Sequence, residues 1–420
     1  MLLAGALAGG SLALPTEAAA SQPFYGEQER STRPQWLAYG DERAAIRLIS
    51  LLQSSDLDGL DPDQFNVGGL KAALRDAASG HPAALARAEA TLDRALIDYA
   101  AALRSRPSPG WLINDREAVP AAPPAERLLA EAAAAPSLDR WLDAMPFMHH
   151  SYGELRRALA RAEDRGDRRA EELLRVNLGR ARMLPASGRF VMVNSAAQRL
   201  YMYEDGRVVD EMRVVVGRPA QPTPVMAAMI RFTALNPYWN VPPDLAAERI
   251  APHVVKDGLS YLRDKGYVVL SDWSDTAQPV DPATIDWEAV AAGQVQLRVR
   301  QEPGPSNAMG RMKFMFPNPQ GVYLHDTPDK ELLNEEARLF SGGCVRLEDA
   351  ARLATWLYGK PLSARGAGPE QPVSLDRPVP VYLAYLTADA SRGDVVFFDD
   401  IYGKDRAQLA AQERSQFAAR

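Results

Sequence analysis

The 420-residue sequence has little cysteine and little histidine: one cysteine, Cys344, and five histidines. A single cysteine excludes an internal disulfide. In an exported protein a solitary thiol indicates a free, reactive group, although a lone cysteine is more often a small buried apolar side chain. The surroundings of Cys344 therefore decide which of these two uses applies.

Long runs of basic residues are also missing. Lys and Arg total 48 against 54 Asp and Glu, which gives a formal net charge of −6. An acidic chain without a basic run argues against nucleic acid as a partner. The 32 prolines and 29 glycines are typical of a loop-rich mixed fold rather than a disordered chain. The length predicts two or three domains.

No apolar run beyond the N-terminus approaches the ~20 residues of a transmembrane helix. Residues 1–14 are apolar and small, and Ala18-Ala19-Ala20 provides an Ala-x-Ala cleavage site. We expect residues 1–20 to be a signal peptide whose basic start is missing, which leaves the true start codon open; the alternative is a disordered tail. The mature protein is accordingly expected in the periplasm of a Gram-negative type of cell.

Two patterns divide the rest of the chain. Residues 23–185 carry apolar side chains at helical spacing, for example Ile46 and Ile49. From about Gly188, short alternating runs separated by turns predict strands, with a mixed, partly helical interruption at residues 244–300. The predicted fold class is α+β: an all-helical N-terminal domain followed by a mainly β, β-sandwich-like domain.

The adjacent histidines His149 and His150 raise the question of a metal site. Neighbouring residues on a helix point to different faces, and no cysteine or third histidine lies nearby in the sequence to complete a ligand set. A structural role is favoured, and no metal is predicted.

The most informative stretch contains His325 and Cys344. His325 ends a short apolar run that predicts a strand, and Cys344 follows the turn Ser341-Gly342-Gly343. A thiol needs a base to become a thiolate, and an acyl intermediate needs N–H donors for its oxyanion. A histidine, a cysteine and a Gly-Gly turn supply these groups, so the stretch is suggestive of acyl transfer.

The spacing of these residues resembles a known signature. His325, fifteen intervening residues, Ser341-Gly342-Gly343-Cys344 and then Arg346 are similar to the motif of the L,D-transpeptidase family, the YkuD-type catalytic domain. The flanking segments 323–328 and 303–310 resemble the large YcbB-like branch of that family. One departure is Gly342, which stands where many members carry a second histidine, so no auxiliary imidazole is expected.

The resemblance implies a domain organisation. Residues 23–185 would form a helical scaffold domain and residues 188–405 the catalytic domain, with 244–300 as a capping subdomain over the active site and 406–420 as a tail. For 244–300 an ordinary surface insertion is the alternative. The family commonly inserts a small peptidoglycan-binding module into the scaffold, but residues 161–169 leave no room for one.

The resemblance also implies the catalytic roles. Cys344 would be the nucleophile, and His325 the general base and acid, oriented by the backbone carbonyl of Asp326. The oxyanion would be held by the N–H groups of Gly343 and Cys344, with Gly342 as a further candidate donor. If His325 lies within hydrogen-bond reach of the sulfur, we also expect it to lower the pKa of the thiol by forming a charged pair with it.

The predicted substrate-binding set surrounds these residues. Arg346 would anchor a carboxylate of the stem peptide, with a structural ion pair as the alternative. The aromatic residues Tyr238 and Trp239 either line the groove that binds the donor peptide or belong to the core. The set is completed by residues that the matching segments contain: Ser341, Tyr323 and Asn307.

The implied function is cross-linking of peptidoglycan stem peptides through a thioester on the cysteine. A tetrapeptide stem would be the donor and an amine of a neighbouring stem the acceptor, with carbapenems as inhibitors, no cofactor, and other wall-synthesis proteins as candidate partners. A cysteine-dependent carboxypeptidase or amidase remains an alternative, as does a non-catalytic wall-binding scaffold. The linkage, 3→3 or 1→3, and the oligomeric state stay open.

Overall fold

The computed structural model describes residues 32–105 and 110–418; the predicted signal peptide, residues 1–20, lies outside them. The helices of the described residues are α1 Arg43–Gln53, α2 Val67–Ala77, α3 Pro82–Ser105, α4 Ala125–Ala133, α5 Leu138–Ala144, α6 Tyr152–Arg165, α7 Arg168–Ala181, α8 Pro243–Leu245, α9 Ala251–Asp257, α10 Ser260–Lys265, α11 Trp287–Ala291, α12 Ala350–Tyr358 and α13 Lys404–Ala418.

The strands of the described residues are β1 Leu112–Ile113, β2 Phe190–Asn194, β3 Arg199–Glu204, β4 Arg207–Gly217, β5 Met226–Leu235, β6 Trp239–Val241, β7 Tyr267–Leu270, β8 Arg298–Gln301, β9 Met312–Met315, β10 Leu324–His325, β11 Leu339–Ser341, β12 Val345–Leu347, β13 Gln371–Ala384, β14 Ala388–Asp389 and β15 Val396–Phe397. The predicted α+β class is confirmed: a helical N-terminal region precedes a mainly β domain.

Helices α1 to α7 form the N-terminal region around one apolar core. Helices α6 and α7 are joined by Gly166 and Asp167 alone. Gly166 ends α6 at a φ of 66°, which glycine adopts without strain, and the Asp167 side chain accepts from the N–H of Ala170 to cap α7. No inserted module lies between these two helices.

The sequence pattern had suggested a wholly helical N-terminal region, but the region also contains one short strand. Strand β1 leaves it and pairs in parallel with β5, with Leu112 opposite Met226. The Tyr382 hydroxyl of β13 then donates to the carbonyl of Ala118, at 2.6 Å. A two-residue strand has no periodicity to detect, because its alternation cannot repeat. The segment ties the helical region to the β domain.

The main sheet closes on itself. Its order is β1-β5-β13-β2-β3-β4-β12-β10-β9, β9 also pairs with β5, and β11 pairs with β4. Alternate side chains of β2 point to opposite faces: Val191 and Val193 lie in the enclosed core, whereas Phe190 and Met192 lie in a second cluster. Tyr203 of that cluster also contacts His149 of the helical region.

The insertion is a small subdomain with its own core. Strands β6, β8 and β7 form a three-stranded sheet, and we use the name capping subdomain for the segment that this sheet encloses, Trp239 to Gln301. Ile250 and Val254 are buried in this core with Trp287. In β7, Val269 and Leu270 are buried, and Val268 is half-buried. The subdomain is therefore more than an irregular loop.

The predicted C-terminal tail is largely the helix α13, which packs on α7. Arg180 of α7 is paired with Asp405 at 2.6 Å, and both side chains are buried. A cavity of about 900 Å³ lies between these two helices and Trp111, and none of the predicted site residues lines it. Among the described residues, no helix combines the length and the apolarity needed to cross a membrane.

Candidate active site

The pairing of β10 with β12 brings the predicted site residues together. The strands run in parallel, with Leu324 opposite Val345 and His325 opposite Arg346. Leu324 and Val345 are fully buried in the enclosed core. Because side chains alternate along a strand, His325, Arg346 and the preceding Cys344 share the other face. The thiol and the imidazole occupy diagonal positions on this face.

The ring of His325 is fixed by the residue that follows it. Its Nδ1 lies 2.6 Å from the carbonyl oxygen of Asp326. Since a carbonyl oxygen can only accept, Nδ1 carries the proton and Nε2 presents its lone pair. The side chain is buried, and burial, with smaller contributions from Arg346 and Lys313, lowers the pKa of His325 to about 3. The imidazole is neutral at pH 7.

The thiol of Cys344 faces the loop before β10. Its Sγ donates to the carbonyl oxygen of Gly321 at 3.9 Å. Burial raises the pKa of the thiol, against the opposing effects of the Tyr323 N–H and the charge of Arg346. The expected thiolate–imidazolium pair is therefore contradicted by the described surroundings, because desolvation disfavours both charged forms. At rest the two groups are a neutral thiol and a neutral imidazole.

The turn before the thiol is held by side-chain hydroxyls. Ser341 Oγ donates to the carbonyl oxygen of Cys344 at 2.5 Å and accepts from the N–H of Gly343 at 3.1 Å. Thr223 Oγ1 donates to the carbonyl oxygen of Gly343 at 2.9 Å and accepts from the N–H of Gly217. Gly343 has a φ of 115°, which L side chains rarely adopt.

These bonds bear on the predicted oxyanion donors and on the role of Ser341. In this structure the N–H of Gly343 is not available to an oxyanion, because Ser341 Oγ already accepts it. Ser341 itself is buried and serves the turn rather than the groove. Gly342 is exposed, with the side chain of Leu245 lying 3.3 Å from where its Cβ would be. Gly342 thus lies directly beneath the capping subdomain.

Arg346, predicted to hold a substrate carboxylate, already has a partner. Its Nη1 lies 3.0 Å from Asp329 Oδ2, and only 12% of its side chain is exposed. The alternative weighed for it, a structural ion pair, is the arrangement present here.

Asn307 does not lie where a substrate could reach it. It is fully buried, and its amide nitrogen donates to the carbonyl oxygens of Pro237, Gln301 and Glu302. Every one of these partners is backbone, so Asn307 closes the end of the capping subdomain. The expectation that it binds substrate has no support in its surroundings.

The three aromatic residues of the predicted set occupy the border between the two parts. Tyr238 lies under the guanidinium of Arg300, 4.1 Å from its ring centroid. Trp239 packs against the core of the capping subdomain. Tyr323 is half-buried, with Lys313 Nζ 5.8 Å from its ring centroid. All three are half-buried, so for Tyr238 and Trp239 both a place in the donor groove and a place at the edge of the core stay open.

Sequence reasoning missed several residues that position the site. Thr223 holds Gly343, and Tyr402 braces the same loop by donating to the carbonyl oxygen of Gly217 at 2.7 Å. The side chain of Asp326 accepts from the N–H of Arg311 and is paired with Lys330 at 2.8 Å. Thr223 directly precedes Pro224 in the sequence, which gives no signal of what its hydroxyl binds.

Gly310 shows how closely the Asp326 carboxylate is enclosed. Its φ is 62°, and a Cβ there would lie 2.5 Å from Asp326 Oδ2. Only glycine fits both the backbone conformation and the space.

Within residues 32–105 and 110–418, no three His, Cys, Asp or Glu side chains are grouped so as to hold a metal ion. His149 and His150 instead bond to Ser151 Oγ and to the carbonyl oxygen of Ser391.

Two family models match the chain. The L,D-transpeptidase catalytic domain, YkuD, matches residues 188–381, and the Scaffold domain matches residues 19–159. The first range contains most of the closed sheet, the capping subdomain and the Cys344 turn, and the second contains helices α1 to α5 and the first part of α6.

Individual proteins were also compared. A Haemophilus influenzae protein named "Putative L,D-transpeptidase" is 36% identical over 242 residues, which is 56% of this chain and 48% of that protein. The chain thus matches about half the length of this curated relative. Among solved structures, "L,D-transpeptidase from Mycobacterium smegmatis" has a TM-score of 0.22 at 16% identity, covering 47% of this chain and 58% of that one.

The "Ldtfm-avibactam carbamoyl enzyme" likewise has a TM-score of 0.22, at 13% identity, covering 47% of this chain and 50% of that one.

The two family models match the two regions that the fold separates: the Scaffold model matches the helical region, and the YkuD model matches the β domain. The chain belongs to the L,D-transpeptidase family, and its Scaffold and YkuD domains give it the YcbB-like architecture.

Proposed function

We propose that this protein is a peptidoglycan L,D-transpeptidase that cross-links stem peptides through a thioester on Cys344. The observation that carries the proposal is the shared face of β10 and β12, where the thiol lies diagonal to an imidazole whose Nδ1–H is held by the Asp326 carbonyl oxygen. Alternate residues of a strand project from the same face of the sheet, so the thiol and the imidazole can approach each other when their side chains rotate.

The first half-reaction follows from a neutral thiol and a neutral imidazole. Sγ of Cys344 attacks the carbonyl carbon of the third donor residue while the thiol proton passes to Nε2 of His325. The C–N bond to the terminal D-Ala then breaks, and the imidazolium returns the proton to the leaving amine. A thioester remains, and the charged pair exists only transiently.

The second half-reaction transfers the acyl group. An acceptor amine of a neighbouring stem attacks the thioester carbonyl, His325 takes a proton from the amine, and the proton ends on Sγ as the C–S bond breaks. The new amide is the cross-link. Charge developing on the carbonyl oxygen would be stabilised by backbone N–H donors around Gly342 and Cys344.

Hydrolysis by water is the second candidate, because it shares the first half-reaction. The capping subdomain favours transfer instead: Leu245 lies over Gly342, and Arg218 forms a bidentate pair with Glu248 at 2.5 and 2.6 Å that joins the two parts. A cover at this place would keep water from the thioester. A non-catalytic scaffold would have no need of either Cys344 or His325.

The remaining parts of the proposal concern place and ligands. The protein would act in the periplasm, the donor would be a tetrapeptide stem, and carbapenems would acylate the thiol. Other wall-synthesis proteins would be candidate partners.

Incubation with purified tetrapeptide muropeptides, followed by mass spectrometry, tests the proposal. Cross-linked dimers should accumulate with the wild type, whereas Cys344→Ser and His325→Gln should form none. His253→Gln is the matched control, since His253 is half-exposed on the capping subdomain and should leave the yield unchanged. Tripeptide without dimers would support the hydrolase, and unaltered muropeptides with the wild type would overturn both.

A further inference from the structure

The capping subdomain brings one arginine to the Cys344 turn. Arg249 lies in the single wide helical turn Ala246–Ile250, between α8 and α9, and its Nη2 donates to the carbonyl oxygen of Phe340 at 3.4 Å. Phe340 immediately precedes the Ser341-Gly342-Gly343-Cys344 turn. Arg249 also follows Leu245, which covers Gly342, by four residues, so it lies about one turn along the same side.

The carboxylates around Arg249 are engaged elsewhere. Both oxygens of Glu248 bind Arg218, and Asp329 is paired with Arg346. Among residues 32–105 and 110–418, no carboxylate oxygen lies within 4.0 Å of the Arg249 guanidinium, whose one hydrogen bond goes to Phe340. The subdomain thus presents a half-buried guanidinium that forms no ion pair with any described carboxylate, although Glu248 beside it feels its charge.

The charge of Arg249 reaches the active-site face. Burial is the main cause that lowers the pKa of Arg346. The negative charge of Asp329 raises this pKa, and the positive charge of Arg249 lowers it further. The positive charges of Arg249 and Arg346 therefore repel each other, and Asp329 forms its ion pair with Arg346. Their repulsion would be relieved by a second anion, and a guanidinium matches a carboxylate in shape and in bidentate hydrogen bonding.

We propose that Arg249 binds the side-chain carboxylate of the third donor residue, so that the capping subdomain selects donors by charge. The third residue is the one whose carbonyl carbon the thiol would attack, which brings its side chain closest to the Cys344 turn. Arg249 is a binding residue in this assignment and takes no part in bond making. The assignment rests on the proposed function for the identity of the peptide, but the position of the Arg249 charge next to the carbonyl oxygen of Phe340 does not.

The charge is tested first without any substrate. Iodoacetate and iodoacetamide both alkylate the only thiol, and the ratio of their rate constants cancels any change in thiolate content. Arg249→Gln should lower the iodoacetate-to-iodoacetamide ratio roughly three- to tenfold, and Arg249→Lys should preserve it. Arg263→Gln is the control, because Arg263 is exposed on α10 of the same subdomain. A ratio unchanged in Arg249→Gln would overturn the placement of the charge.

The carboxylate is tested next with two donors, a tetrapeptide and the same peptide amidated at the side-chain carboxylate of its third residue. The wild type should prefer the free acid by about tenfold or more in kcat/KM, as a charge-assisted hydrogen bond provides. Arg249→Gln should lose activity only on the free acid, which brings the preference close to one. Arg249→Lys should recover part of it.

The outcomes separate this inference from the proposed function. Equal rates for the two donors with the wild type, or a preference that survives in Arg249→Gln, would refute the binding role while leaving transpeptidation intact. If neither donor reacts with the wild type, the proposed function fails, and with it the identity of the ligand; the ratio of the two alkylating reagents still decides the charge.

Discussion

Two buried polar clusters of this protein differ in how completely their hydrogen bonds are made. In the helical region, Asp58 is buried and accepts from the hydroxyls of Tyr99 and Tyr152, at 2.7 and 3.0 Å, and from Nε of Arg156 at 2.9 Å. In the β domain, the thiol of Cys344 has one long contact, of 3.9 Å. The first cluster is saturated, whereas the second leaves its thiol without a short hydrogen bond.

The difference separates stability from function. A buried charge is tolerated where every partner is present, and removal of one partner is then strongly destabilising. A site with unmet partners contributes little to stability but interacts strongly with whatever completes it. Substitutions in the two clusters should therefore affect different measurements.

The largest expected effect is on the free energy of unfolding. Asp58→Asn removes the counter-charge of buried Arg156 and should reduce that free energy by about 3–5 kcal/mol, as measured by urea denaturation. Asp143→Asn is the matched control: Asp143 is paired with Arg47 at the surface, where such pairs are worth ~1 kcal/mol or less. Equal losses in both variants would remove the distinction between the clusters.

The next effect should be on activity with little change in stability. Thr223→Val keeps the shape of the side chain but removes the hydroxyl that holds the carbonyl oxygen of Gly343 and the N–H of Gly217. Loss of these bonds should loosen the turn and reduce kcat/KM for cross-linking roughly tenfold or more. In Thr355→Val, an exposed helical position, activity should stay at the wild-type level; a similar fall there would contradict the assignment.

The smallest expected effect is on the titration of the thiol. Because burial raises the pKa of Cys344, the alkylation rate should increase with pH through a midpoint above the ~8.5 of a free cysteine. Because the buried imidazole is neutral, with a pKa of about 3, His325→Ala should leave that midpoint within about half a unit while abolishing cross-linking. A midpoint below 7 that rises in His325→Ala would contradict this prediction and would support a thiolate–imidazolium pair at rest.

Much of this organisation could be predicted from the sequence. Helical spacing defined the N-terminal region, turn residues and alternation located the β domain, and the motif identified Cys344 and His325. The boundaries and the closure of the sheet could not be predicted, because β1 and β10 are strands of only two residues. Strand β1 pairs with residues more than a hundred positions away in the sequence. Strand β10 pairs with the strand that contains Arg346.

The state of the site residues was less predictable than their identity. That Ser341 accepts the N–H of Gly343, that Asp329 pairs with Arg346 and that Asn307 is enclosed by backbone all depend on tertiary contacts. The expectation of a lowered thiol pKa was wrong for the same reason. The motif identifies the groups that could stabilise a thiolate, but it does not show how strongly burial of the thiol disfavours the charged form.

Acylation of the thiol tests the central claim most directly. The wild type should gain the mass of one carbapenem equivalent in intact-protein mass spectrometry, on the peptide that contains Cys344, and Thr223→Val should gain it more slowly. Cys344→Ser should show no adduct although it unfolds at the same urea concentration. Full labelling of Cys344→Ser, or no labelling of the wild type, would contradict the assignment of Cys344 as the nucleophile.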